Sequence, residues 1–174
     1  MKTETQSSAE LTQLCELIKD MKVAMLTTED AHGALVSRPM SPQEMDSSGV
    51  IWFFTDLRSE KVKHLAHINL SFTDPDGSTY VSVSGRGEVH VDHDRIERYW
   101  TPFARPWFPD GSDSPNLALL KFVPNSAEVW DAPPRKRVRM FAVAASIVAG
   151  KPIGMGDHDT LSGLGTPSLH TTPA

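Results

Sequence analysis

The run "STYVSVSGRGEVHV" (78–91) constrains the fold more than any other part of the chain. Apolar and polar residues alternate along it, which is the period of a half-buried β-strand and not of a helix. Val81, Val83, Val89 and Val91 share one face with Gly85 and Gly87. Two glycines in mid-strand mark a sharp bend, as at a barrel corner, or the close approach of another backbone. A long strand of this kind belongs to a curled antiparallel sheet.

The other strand signals agree. "VAMLTT" (23–28) and "ALVSRPM" (34–40) flank a glycine-containing hairpin loop, "EDAHG" (29–33). Alternation in the second of these puts Ala34, Val36, Arg38 and Met40 on one face, and Pro39 requires an edge or a break there. "VIWFFT" (50–55) is apolar on both faces, so both are expected to be covered. "NLSFTD" (69–74) precedes the turn "DPDG", and "LALLKFVP" (117–124) and "AEVWD" (127–131) read as closing strands joined by a Pro-Asn turn.

Helices are expected at the periphery. Ser7 and Glu10 have capping-box spacing ahead of the stripe Leu11, Leu14, Cys15 and Ile18, which makes Cys15 a packing residue. Ser59 caps a short helix over 59–67 with Val62, Leu65 and Ala66 inward. Asp92 caps another, carrying Ile96, Tyr99, Trp100 and Phe103, and a last one spans 135–149 with Gly150 at its end. The expected architecture is mainly β, an antiparallel barrel with peripheral α-helices, in one domain over 7–150. Residues 151–174, rich in Gly, Ser, Thr and Pro, read as a flexible tail.

A net charge of -5 argues against a general nucleic-acid or anionic-membrane binder. The first residues, "MKTETQSSAE", have no apolar core, and no run approaches the ~18 apolar residues of a membrane helix, so the expected location is cytoplasmic. Against that acidic background "DLRSEKVK" (56–63) places Arg58, Lys61 and Lys63 just after the aromatic strand. Two readings stand on these residues alone. One is a phosphate site, with Ser59, Lys61 and Arg58 at a helix N-terminus, the Thr55 hydroxyl beside them and Arg38 completing the cradle. The other is an ordinary solvated helix face.

The chain resembles the flavin-binding split-barrel proteins related to pyridoxamine 5′-phosphate oxidase, and within them the general stress protein 26 branch. The resemblance rests on "SRPM" (37–40), "IWFFTDLRSEKVKHL" (51–65), "INLSF" (68–72), "YVSVSGRGEV" (80–89), "WFPDG" (107–111) and "AEVWD" (127–131), in that order. It implies a six- to seven-stranded antiparallel split β-barrel binding flavin mononucleotide (FMN), with flavin adenine dinucleotide (FAD) as an alternative. It implies that Ser59 and Lys61 bind the phosphate, that Arg38 reaches the phosphate or ribityl chain, and that backbone groups of Phe53, Phe54 and Thr55 line the ring. It also implies a homodimer with flavins at the interface, where Trp107 covers the ring from the partner chain. The competing expectation for Trp107 is a plug in the end of its own barrel.

Function follows as an expectation: a flavin-binding, stress-related protein and a candidate FMN-dependent oxidoreductase. The alternatives are a non-catalytic flavin carrier or sensor, or a split barrel holding haem or a deazaflavin. Pyridoxamine phosphate oxidation is not expected, because the segment after residue 150 lacks the Trp and Arg with which those oxidases grip their substrate. His64 with His67, and His90 with His93, lack a third ligand at convincing spacing, so no metal is expected.

Overall fold

A computed structural model describes residues 1–131, 157–162 and 164. In chain order the elements are β1 (Lys2–Thr3), α1 (Ala9–Ile18), β2 (Ala24–Glu29), β3 (Leu35–Met40), β4 (Pro42–Met45), β5 (Ile51–Asp56), β6 (Ile68–Asp74), β7 (Thr79–His90), α2 (His93–Tyr99), β8 (Leu117–Asp131) and β9 (Asp157–Ser162). The nine strands form one sheet in the order β1-β4-β5-β8-β7-β6-β2-β3, with β9 added beside β8. Every pairing is antiparallel except β1 with β4. The sheet curls: Leu26, Met45, Phe53, Leu70, Val83 and Phe122, from strands along its whole width, meet in one buried cluster closed by α1.

The mainly β split-barrel reading holds, with corrections. The strand count is nine, not six or seven, and one pair is parallel. β4 had no sequence signal, because "PQEM" does not alternate and opens on proline. The two closing strands are one, since β8 runs unbroken past Pro124 and Asn125. Its register against β7 shifts between Ser84 and Gly85, so that Pro124 faces Gly85 and Ser126 faces Ser84. The Pro-Asn pair therefore makes a bulge, in which the missing proline N–H costs no ladder bond.

β7 explains its glycines. A Cβ on Gly85 would come within 2.3 Å of the Val123 carbonyl and 2.7 Å of the Phe122 ring, and one on Gly87 within 2.7 Å of Ile68. Both roles read from the sequence apply: the sheet bends at the bulge, and a facing strand approaches closely. Gly85→Ala is expected to destabilise the fold by about 3 kcal/mol, because backbone and a fully buried ring must both give way. Chemical denaturation checks this, and an unchanged midpoint would mean that the bulge is soft.

β5 is covered on both faces, as expected. Ile51 and Phe53 enter the main core, while Val50 and Trp52 join Ile96, Tyr99, Phe108 and Leu119 in a second cluster under α2. β3 is an edge strand, in accord with Pro39. Asp92 caps α2, its side chain accepting from the Arg95 N–H, but Phe103 falls beyond the helix and is exposed. The α1 stripe is buried as read, although the cap is Ser8, not Ser7, because its hydroxyl accepts from the Leu11 N–H. Residues before 7 also join the fold, through β1.

The segment expected as a tail is partly structured: β9 pairs with β8, and Leu161 and Leu164 are buried in the main core. The helix expected over 135–149 lies outside the described residues. Among the described residues no helix is long and apolar enough to cross a membrane.

Candidate functional site

The chain leaves the core at the end of β5. Thr55 shares the interior face of β5 with Ile51 and Phe53 and is 2% exposed. Asp56 follows and turns the chain, its carboxylate accepting from the Arg58 backbone N–H at 2.8 Å. Both oxygens also receive the Arg58 guanidinium, at 3.0 and 2.7 Å. This hook holds the Asp56 carboxyl down at about 2. The Arg58 charge, which the sequence reading offers to a phosphate, is thus paired with Asp56.

The expected helix over 59–67 is only a 3-10 turn, Glu60–Lys63. Its continuation is pre-empted by tertiary structure. The Leu65 carbonyl accepts from the Gly87 N–H at 2.7 Å, the Leu65 side chain is buried, and β6 begins at Ile68. Val62 is only partly buried and Ala66 is exposed. Ser59 precedes the turn but its hydroxyl caps no N–H; it accepts from Lys61 Nζ at 3.2 Å. A four-residue turn supplies little dipole, so any anion held here depends on side-chain charge.

That charge is present. Lys63 pairs with Glu60 in solvent, but Lys61 and Arg38 have no carboxylate within ion-pair distance among the described residues. Both are partly buried. They lie close enough that burial first, and the Arg38 charge second, push the Lys61 ammonium below its ordinary value. Burial lowers the Arg38 guanidinium as well. Arg38 reaches this point from the interior face of β3, where its Nη1 donates to Thr28 Oγ1 at 3.0 Å. On Lys61 the Arg38 charge outweighs the Asp56 carboxylate, which is itself tied to Arg58, so an anion that both cations can reach is favoured.

Two further features point to a ligand. Thr55 Oγ1 is fully buried and has no hydrogen-bond partner. Buried hydroxyls are normally satisfied, so a hydroxyl left without a partner among the described residues at the end of β5 is a candidate ligand contact. Moreover, β4 stops at Pro42, opposite Phe53, while β5 continues to Asp56. Beyond Phe53 the β4-side edge of β5 has no strand partner among the described residues, which leaves backbone groups of the 54–56 stretch available. The Phe53 side chain is wholly buried, and the Phe54 ring faces the other way, packing on Trp100 and Phe108.

Ser59 and Lys61 are in hydrogen-bond contact, Arg38 is near enough for its charge to act on Lys61, and Thr55 lies at the end of β5 four residues before Ser59. Trp107 is 73% exposed, on a loop anchored by buried Phe108, so it does not plug its own barrel. A hollow of about 480 Å³ lined by Glu16, Asp20, Asp74 and Lys22 shares no residue with the cation pair. His90 contacts Glu88 at 3.2 Å and the edge of Trp52. Among the described residues no three His, Cys, Asp or Glu side chains are grouped to hold a metal.

Comparisons with known proteins place the family and the fold. A profile of the family described as "Pyridoxamine 5'-phosphate oxidase like" matches residues 9–153. Protein bli-3 of Neurospora crassa is 26% identical over 163 residues, covering 86% of this chain and 78% of that protein. A structure from Jannaschia sp. CCS1, described as a candidate general stress protein 26, superposes with a TM-score of 0.70 at 26% identity, over 89% of this chain and 99% of that one. The general stress FMN/FAD binding protein of Xanthomonas citri gives a TM-score of 0.59 at 27% identity, over 71% and 90%.

Proposed function

The chain belongs to the pyridoxamine 5′-phosphate oxidase-like family, and from that premise we propose that it is a flavin-binding protein which holds FMN by its phosphate between Lys61 and Arg38. One observation carries this reading: two partly buried cations stand together with no carboxylate partner. Ser59 orients Lys61, and the orphan Thr55 hydroxyl together with the unpaired β5 edge offers polar contacts to the rest of the molecule. FAD presents a phosphate to the same pair. When bound, the flavin supplies hydride or electron transfer; the protein's part is to bind it, orient it and limit solvent access.

Mixing the purified chain with FMN and desalting tests the reading directly. Retained flavin absorbance at one equivalent per chain supports it, and a colourless protein overturns it. Steady-state reduction of acceptors with NADH or NADPH then separates an oxidoreductase from a carrier, which would share every binding residue.

The site is completed in this proposal by a second copy. Trp107 and Phe103 are 73% and 87% exposed on one loop, more aromatic surface than a small monomer usually leaves in water. A dimer places this loop over the partner's flavin ring. Sedimentation is expected to give twice the 19.1 kDa chain mass, and a monomer at micromolar concentration would remove Trp107 from the site.

Pyridoxamine phosphate is not assigned as the substrate. Its oxidation needs a second anion grip beside the ring. Arg95 is engaged by Asp92 and the Trp52 face, and Arg86, Arg98 and Arg105 are exposed.

A further inference from the structure

We infer that Thr28 is a positioning residue that sets the Arg38 guanidinium for the phosphate. This rests on the phosphate-cradle reading above and adds a residue that it does not contain. β2 and β3 pair with Leu26 opposite Arg38 and Thr28 opposite Val36, so Thr28 and Arg38 are diagonal neighbours on one face. Thr28 is 2% exposed, and its Oγ1 accepts from Arg38 Nη1 at 3.0 Å. The Arg38 guanidinium makes no other hydrogen bond among the described residues, so one of its five donors is fixed and the others remain for a ligand.

The fixing matters because of where Arg38 is. β3 ends the order of strands, and its outer edge has no strand partner among the described residues. An arginine on such a strand has many rotamers in water, and ordering a long side chain at the moment of binding weakens the ligand by the entropy lost. The Thr28 hydroxyl selects one direction beforehand. It also draws the guanidinium inward, where Lys61 feels its charge. The neighbouring pair is a built-in control: Thr27 Oγ1 and Ser37 Oγ lie 2.7 Å apart across the same two strands, on the opposite, exposed face.

The test compares FMN with riboflavin, which lacks the phosphate, by flavin fluorescence titration of the full chain. Thr28→Val keeps the shape and removes the acceptor. FMN affinity is expected to fall about five- to tenfold, riboflavin affinity to stay, and Thr28→Ser to restore FMN. Thr27→Val is expected to change neither. In an Arg38→Ala background Thr28→Val is expected to cost nothing further. An unchanged FMN affinity in Thr28→Val, equal losses for both flavins, or full additivity with Arg38→Ala would each overturn the inference. If Thr28→Val does not fold, Thr28→Ala against Thr28→Ser gives the same comparison. Failure of the underlying reading looks different: the unmodified protein then binds FMN no better than riboflavin.

Discussion

Lys61→Ala is expected to weaken FMN binding tenfold or more and to leave riboflavin binding where it was. A charge-assisted contact to phosphate is worth about 1.5–3 kcal/mol, and tenfold in affinity is about 1.4 kcal/mol. The contact is at the strong end of that range here, because Lys61 is partly buried and forms no ion pair among the described residues. The variant should fold at least as well as the parent without ligand. It removes a like charge facing Arg38, so the melting temperature of the flavin-free protein should hold or rise. Loss of FMN affinity together with a lowered melting temperature would point instead to a structural role for Lys61.

The same residue sets a pH dependence with a definite sign. In the free protein burial and the Arg38 charge hold the Lys61 pKa below the ordinary lysine value. A bound phosphate supplies the opposite charge and raises it. Protonated Lys61 is the binding form, so between the second phosphate pKa of about 6 and the free-protein lysine pKa FMN affinity is at its full value, and it falls as pH rises from there towards the lysine pKa of the complex. The decline should begin below the ~10.4 of an unperturbed lysine. Both flavins lose a ring N3 proton at alkaline pH, so the difference is the readout: the FMN limb should begin at lower pH than the riboflavin limb, and Lys61→Arg, which stays charged, should bring the two together. An identical alkaline limb for both flavins would place the titrating group elsewhere.

What could be read from the chain, and what could not, divides along physical lines. Alternation in β7, the double-faced apolar run of β5 and the Asp92 cap are local signals, and each fixed its element. Period-two counting alone puts Arg38 on one face with Val36 and Met40. Three features depended on contacts that local pattern does not show. The turn after Ser59 has a helical pattern, but the Gly87 amide captures the Leu65 carbonyl and ends it. Pro124-Asn125 has turn composition, but β7 offers it a glycine and a bulge. Arg58 belongs to the cation cluster in sequence, but Asp56 claims both of its arms. Thr28 gave no signal, since a threonine in a strand is ordinary and only the register of β2 on β3 reveals its partner.

The segment after residue 154 tests the boundary between composition and packing. Its glycines, serines and prolines argue for a tail that contributes nothing, and a chain ending at 154 would then melt like the full one. The structure argues otherwise. β9 covers β8 from Ser126 to Asp131, and Leu161 and Leu164 are 6% and 3% exposed in the same cluster as Phe72 and Val129. Truncating a buried leucine to alanine costs about 2–5 kcal/mol, which for a chain of this length lowers the melting temperature by roughly 5–15 °C. Leu161→Ala is therefore expected to fall in that range. Ending the chain at 154 should cost at least as much, since it also opens the β8 edge along those six positions. The order of the losses is informative. If Leu161→Ala is neutral while truncation destabilises, the strand matters through its backbone ladder and not its leucine. If both are neutral, composition wins: the strand does not dock, and the core is complete without it.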